Sequence, residues 1–427
     1  MSIDTMVARR DRLLGRHAEL FYERPLNLVR GEGACVFDAD GRRYIDMYNN
    51  IPVVGHCNPR VVNALARQAA TLVTHSRYLD ETILDYAERL LGVHADGIDR
   101  VVFTCTGTEA NEVAMQMARL ASGGRGFICT NAAYHGNSDL VGTLTDAPLR
   151  GRAGVRAFRF PDLYRPLEPG LSESEVCERA VGEVRSAIDD LAADGVPLAG
   201  MLLCSILANE GLPWIPAGFM EQAAAIVREA GGVVIFDEVQ AGFCRTGRFW
   251  GYESTGVVPD IVTMGKPMGN GYPLAGLAAR ADIVDAFGRE RRYFNTFAGT
   301  PVACAAGLAV LDVLAEERLV ERAGVVGSQL LARLRPLAAL PAIRDVRGVG
   351  LFVAVETTAD ADASTSGRSS SDAPTAATVV DRMREQRVLA GVTGPGARVV
   401  KIRPPLAFSE AEIEPLARAL ERALGVD

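Results

Sequence analysis

The chain predicts an α/β fold: a mostly parallel central sheet with helices on both faces, and a smaller α+β domain built from both chain ends. Three observations predict it. Short apolar runs alternate with amphipathic stretches through the middle of the chain. Those runs are apolar throughout instead of alternating, as expected of strands buried on both faces. The two ends of the chain instead mix hairpin, helix and isolated strand signals.

Taken in order, Phe37–Tyr44 (FDADGRRY) reads as two short strands about a turn. Val101–Phe103 reads as a strand followed by a helix from Glu109 to Leu120, and Gly126–Cys129 as the next strand. Met201–Leu203 is another, followed by a helix over Phe219–Ala230 and strands at Gly232–Phe236 and Ile261–Thr263. Beyond these come helical patterns at Ala305–Glu317 and Glu410–Leu424, with strand-like pieces at Gly350–Val355 and Val399–Ile402 between them. The Ser-, Thr-, Ala- and Asp-rich stretch Thr357–Thr378 is expected to be a mobile loop. This organisation predicts an N-terminal segment (1–60) that joins a C-terminal small domain (306–427), around a large domain (61–305).

Bulk properties narrow the function. With 427 residues, 48% hydrophobic and 23% charged, the chain can bury a large core. Its net charge of −8 and scattered basic residues offer no footprint for nucleic acid. No apolar run approaches the roughly 18 residues of a membrane span, and the charged first residues do not read as an export signal. The eight cysteines form no CxxC pair, so reduced, buried thiols in a cytoplasmic protein are expected. No histidine shows metal-ligand spacing, no serine sits in a nucleophile elbow, and no metal is expected.

Parallel sheets bind ligands at the carboxyl ends of their strands, so the residues there carry the argument. Val233–Asp237 ends an apolar strand on an acid, which is either a helix cap or ion-pair partner, or a carboxylate that holds a pyridinium nitrogen protonated. Ile261–Lys266 runs a second apolar strand into a glycine-rich turn. Its lysine is either a snorkelling surface group or a nucleophile with a lowered pKa. Thr106–Glu109 lies between strand and helix; it fits a capping box, and the amides and hydroxyls at Gly107 and Thr108 also fit an anion site. Tyr134 could stack on a planar ring, and packs equally well without one.

Taken together, Phe103–Asn111 (FTCTGTEAN), Tyr134–Gly136 (YHG), Asp237–Phe243 (DEVQAGF), Pro259–Val262 (PDIV) and Asn295–Pro301 (NTFAGTP) resemble the class III (omega) aminotransferases, in the right order along nearly the whole chain. The resemblance implies a fold-type I scaffold and a pyridoxal 5'-phosphate cofactor. It implies that Lys266 is the Schiff-base lysine and proton shuttle, that Asp237 pairs with the ring nitrogen, and that Gln240 bonds the ring's 3'-oxygen. Val239 and Tyr134 would flank the ring beside His135, while Gly107 and Thr108 would hold the phosphate. Thr296 matches a threonine that reaches the phosphate across a homodimer interface, which would give shared active sites. Arg403 matches an arginine that grips a substrate carboxylate, with Arg77 and Glu210 as further expected substrate contacts.

The implied activity is aminotransfer between an amine or amino acid and a keto acid by a ping-pong mechanism. Met264–Gly271, Asn49–Asn50, Gly55–His56 and Ser76–Tyr78 also resemble the branch that includes ethanolamine-phosphate phospho-lyases, so phosphate elimination is the rival, followed by a non-catalytic protein on the same fold. The sequence departs from the family at Cys204, where a carboxylate usually neutralises the arginine; nearby Glu210 is the candidate replacement. It also has Thr300 where asparagine is common.

Overall fold

Four strands that form the middle of the large sheet bury every residue: β7 (Leu198–Cys204), β8 (Val233–Asp237), β9 (Ile261–Met264) and β10 (Ala275–Ala279). The computed structural model describes residues 1–146, 154–164, 170–359 and 373–426. With β4 (Arg100–Thr104), β5 (Gly126–Thr130) and β6 (Val155–Phe158), these strands make a seven-stranded sheet in the order β4-β10-β9-β8-β7-β5-β6. All neighbours run parallel except β10, which is antiparallel to both β4 and β9.

Alternate residues of β8 enter different cores. Val234 and Phe236 pack with one cluster, Val233 and Ile235 with another, so each face of the sheet is covered. The first core contains residues of α5 (Glu173–Ala193) and α6 (Phe219–Glu229), and the second contains residues of α4 (Gly107–Ser122). Two four-stranded sheets flank this body. One is β1 (Leu28–Glu32), β2 (Cys35–Asp38) and β3 (Arg43–Asp46), extended by Val388–Leu389, so residues from both chain ends share it. The other pairs Ile343–Val349, Phe352–Thr357, Val399–Ile402 and Gly391–Thr393, all antiparallel.

Several expected elements are shifted or were missed. The helix expected from Ala305 begins at Pro301, because the Thr300 hydroxyl caps the amide of Ala303 at 3.3 Å and proline suits a first helical turn. Strand β10 (AGLAA) has small residues with little apolar signal, and it was not foreseen. Of the stretch 357–378, residues 360–372 lie outside the described residues; Thr357 ends a strand, and Thr375 caps the helix Ala376–Glu385. All eight cysteines are free; six are buried, whereas Cys57 is exposed and Cys105 is intermediate. Among the described residues, no helix is long and apolar enough to cross a membrane, and no group of three or more His, Cys, Asp or Glu could hold a metal.

Candidate active site

The carboxyl ends of β4, β5, β7, β8 and β9 open into one cavity of about 220 Å³, lined by Thr106, Gly107, Thr108, Tyr134, His135, Cys204, Asp237, Val239, Gln240 and Lys266. Register explains the convergence. Asp237 pairs with Cys204 on one side and Thr263 on the other, so the ends of β7, β8 and β9 are level.

Asp237 is buried and densely bonded. Its Oδ1 accepts the amide of Val239 at 3.0 Å. Its Oδ2 accepts Asn111 Nδ2 at 3.0 Å and His135 Nδ1 at 2.8 Å. Asn111 is itself fixed, accepting the Thr263 hydroxyl at 2.6 Å and donating to the His135 carbonyl at 2.7 Å. The sequence reading gave Asn111 no role. Its signal was a polar residue one helical turn beyond Gly107, on the same face of α4.

The Thr106–Glu109 turn is a capping box: the Thr106 hydroxyl accepts the Glu109 amide at 3.1 Å, and Glu109 returns to the Thr106 amide at 3.1 Å. Cap and anion site coexist, because the cap uses the Glu109 amide and leaves those of Gly107 and Thr108 at the helix opening. Space there is tight. A Cβ at Gly107 would stand 3.0 Å from Val239, and one at Gly136 (φ +145°) would stand 2.8 Å from the Thr108 hydroxyl. These residues fit a flat pyridinium with a phosphate tail: a carboxylate at one end, a helix N-terminus at the other, and Val239 and Tyr134 on the lining between.

Lys266 opens into the cavity. The side chain is accessible through the cavity, yet desolvation by the surrounding protein and the neighbouring Arg403 lower its pKa, and Asp237 opposes them. Gln240 donates to Asn209 Oδ1 at 2.9 Å and accepts from Arg403 Nη1, which leaves one amide hydrogen free. Arg403 also donates to the Tyr48 carbonyl at 3.2 and 3.3 Å, and burial brings its pKa down to about 10.

Lys401, unremarked in the sequence, lies in the strand Val399–Ile402, two residues before Arg403, which follows the strand's end. Its side chain is buried, and burial with Arg403 and Lys266 brings its pKa to about 7. Cys204 is a buried thiol whose pKa is pushed up by desolvation, so it supplies no negative charge to these cations.

Three expected contacts are not brought to the cavity. Glu210 does not reach Arg403: it is buried against the Thr130 hydroxyl, which donates to its Oε1, and desolvation raises its pKa. Arg77 is exposed, with its guanidinium 3.6 Å from the centre of the Phe294 ring. Thr296 is exposed beside Phe297, away from the cavity lining. His135 does line the cavity, but its Nδ1 is spent on Asp237.

The aminotransferase class-III family pattern matches residues 21–424. Among curated relatives, alanine–glyoxylate aminotransferase 2 homolog 2 of Arabidopsis thaliana is 36% identical, with 99% of this chain and 88% of that protein covered. Ethanolamine-phosphate phospho-lyase homolog 1 of Caenorhabditis elegans is 33% identical, covering 99% and 94%. Among solved structures, a phospholyase from Arthrobacter in complex with phosphoethanolamine superposes with a TM-score of 0.92 at 38% identity, over 98% of this chain and 99% of that one. An omega transaminase from Pseudomonas jessenii, in complex with PMP, gives a TM-score of 0.86 at 25% identity, over 100% and 98%. The cavity, its carboxylate, its lysine and these likenesses agree: the chain belongs to the class-III aminotransferases, with the fold-type I scaffold and pyridoxal phosphate cofactor of that family.

Proposed function

We propose that the protein moves an amino group from an amine or amino acid to a keto acid, and that its substrates carry an anion away from the reacting carbon. The family match supports the transfer, and the buried basic pair Lys401 and Arg403, with a thiol at Cys204 in place of an acid, supports the anion. An uncharged donor would leave both cations buried and unneutralised, which is costly. A donor and an acceptor that each bear an anion would satisfy them in both half-reactions.

In this reading Lys266 would hold the cofactor covalently, and its freed amine would act as the base that takes the donor carbon's proton. The lowered pKa keeps that amine competent as a base. Asp237 would hold the ring nitrogen protonated, Gly107 and Thr108 would bind the phosphate, and the free Gln240 hydrogen would be available to the ring's 3'-oxygen. The cofactor supplies an electron sink for the carbon next to the transferred nitrogen. Thr296 would act in the partner of a homodimer: its loop is exposed with Phe297 at 74%, and Leu79 is another exposed apolar side chain at 98%. A reducing, cytoplasmic setting suits the eight free thiols.

One observation favours phosphate elimination as a second reading: two adjacent cations match a dianionic phosphate better than a single carboxylate. Incubating the loaded enzyme with amino acids or with aminoalkyl phosphates, each with and without a keto acid, separates the two. Nitrogen transfer that requires the keto acid supports the proposal. Stoichiometric inorganic phosphate release without any keto acid overturns it in favour of elimination.

A further inference from the structure

We propose that Asp46 is a positioning residue for Arg403: it fixes the turn whose Tyr48 carbonyl holds the guanidinium, and so sets which edge of that group meets an anion. Asp46 closes β3 and is buried. Its Oδ1 accepts the amides of Tyr48 and Asn49, both at 3.0 Å, and its Oδ2 lies 2.8 Å from His56 Nε2. The Asn49 amide and the Tyr48 carbonyl belong to one planar peptide group, so holding the N–H points the C=O the other way. That carbonyl accepts Arg403 Nε at 3.3 Å and Nη2 at 3.2 Å. The backbone repeats the link, since the Arg403 amide donates to the Met47 carbonyl at 2.6 Å.

A guanidinium has five N–H groups. Tyr48 takes two of them and Gln240 takes one from Nη1, which leaves one hydrogen on each terminal nitrogen. Two such hydrogens suit two oxygens of a carboxylate or phosphate. Without Asp46 the Tyr48 carbonyl is free to turn, and the guanidinium loses the support that presents those hydrogens. The far end of the same loop is held separately: Asn270 accepts the Val54 amide and donates to the Gly55 carbonyl, each at 3.0 Å. Loss of Asp46 therefore loosens the Tyr48 turn and leaves the rest of the loop attached. The inference rests on the reading of Arg403 as an anion-binding group, but not on whether the reaction is transfer or elimination.

The test is calorimetric titration of the pyridoxal phosphate-loaded enzyme with inorganic phosphate, with Asp46 and Arg403 varied singly and together. Asp46→Ala should weaken phosphate binding about tenfold. Asp46→Asn, which keeps an acceptor for both amides, should stay close to the wild type, and Asp46→Ala should have no further effect once Arg403→Met is present. A purely electrostatic role predicts the opposite: Asp46 is an acid acting on Arg403, so removing its charge would tighten phosphate binding in both variants. That result, or an equal effect of Asp46→Ala with and without Arg403, overturns the proposal. If Asp46→Ala does not fold, His56→Leu, which removes the Oδ2 partner alone, must weaken binding through Arg403 in the same way, and an unchanged affinity overturns the proposal. Arg403→Met that binds phosphate as the wild type does would sink the reading of the basic end, and the proposal with it.

Discussion

At the Asp237 end of the cavity a carboxylate accepts three N–H groups and is braced by Asn111 to α4 and β9. Behind Lys266 and Gln240, outside the cavity lining, stand the buried basic side chains of Lys401 and Arg403, where the end of β7 offers only a thiol and Asp46 acts on Arg403 alone. The first arrangement is complete without a ligand. The second is left with uncompensated charge, which an anionic ligand would satisfy. On the function proposed above, the difference separates two tasks: the bonded end would hold the cofactor in one geometry, and the basic end would select what reacts with it.

The sharpest ways to break this comparison lie at the bonded end. Lys266→Ala should lower turnover by about 10²- to 10⁴-fold or more, and retained wild-type rates in steady-state assays would remove it from the chemistry. Asp237→Asn, which keeps the shape but not the charge, should lower kcat about 10²-fold with little change in KM. A change in KM alone would move Asp237 to substrate binding.

At the other end the expected effects are smaller and fall on KM. Lys401→Met should raise KM for an anionic substrate about ten- to a hundredfold while leaving kcat within a few-fold. The affinity of the wild type for such a ligand should fall as pH rises through about 7, because the ammonium is lost there. The stability contribution has the opposite sign. The folded pKa is depressed from 10.5 to about 7, so the unfolded chain holds the extra proton between them, and stability from this group grows as pH rises through that window. Denaturant midpoints of wild type and Lys401→Met across the window check this; parallel curves would contradict it. Smallest of all, Cys204→Glu should restore a neutralising acid, shifting preference from anionic to uncharged amines by about tenfold in relative kcat/KM.

Much of the bonded end was legible in the sequence, because apolar runs mark strand ends and the chemistry sits there. Asp237 and Lys266 close two such runs, and Gly107 opens the helix that follows a third. Asn111 was not read, since its role depends on the approach of α4 to β8 and β9. Lys401 had a signal that went unused: a lysine inside the apolar strand Val399–Ile402, two residues before Arg403. Glu210 misled because closeness in sequence to Cys204 was taken for closeness in space. Between them the backbone takes left-handed φ at Leu207 (48°), and Glu210 ends against Thr130 on β5. Arg77 was read from its motif alone, but the fold turns it onto Phe294 at the exposed surface.

The central claim is that Lys266, in the turn after β9, holds the cofactor. Borohydride reduction of the pyridoxal phosphate-loaded enzyme, followed by proteolysis and mass spectrometry, tests it most directly. The account predicts one reduced phosphopyridoxyl adduct per chain, on Lys266. An adduct on Lys401 or any other lysine, with Lys266 unmodified, would contradict it.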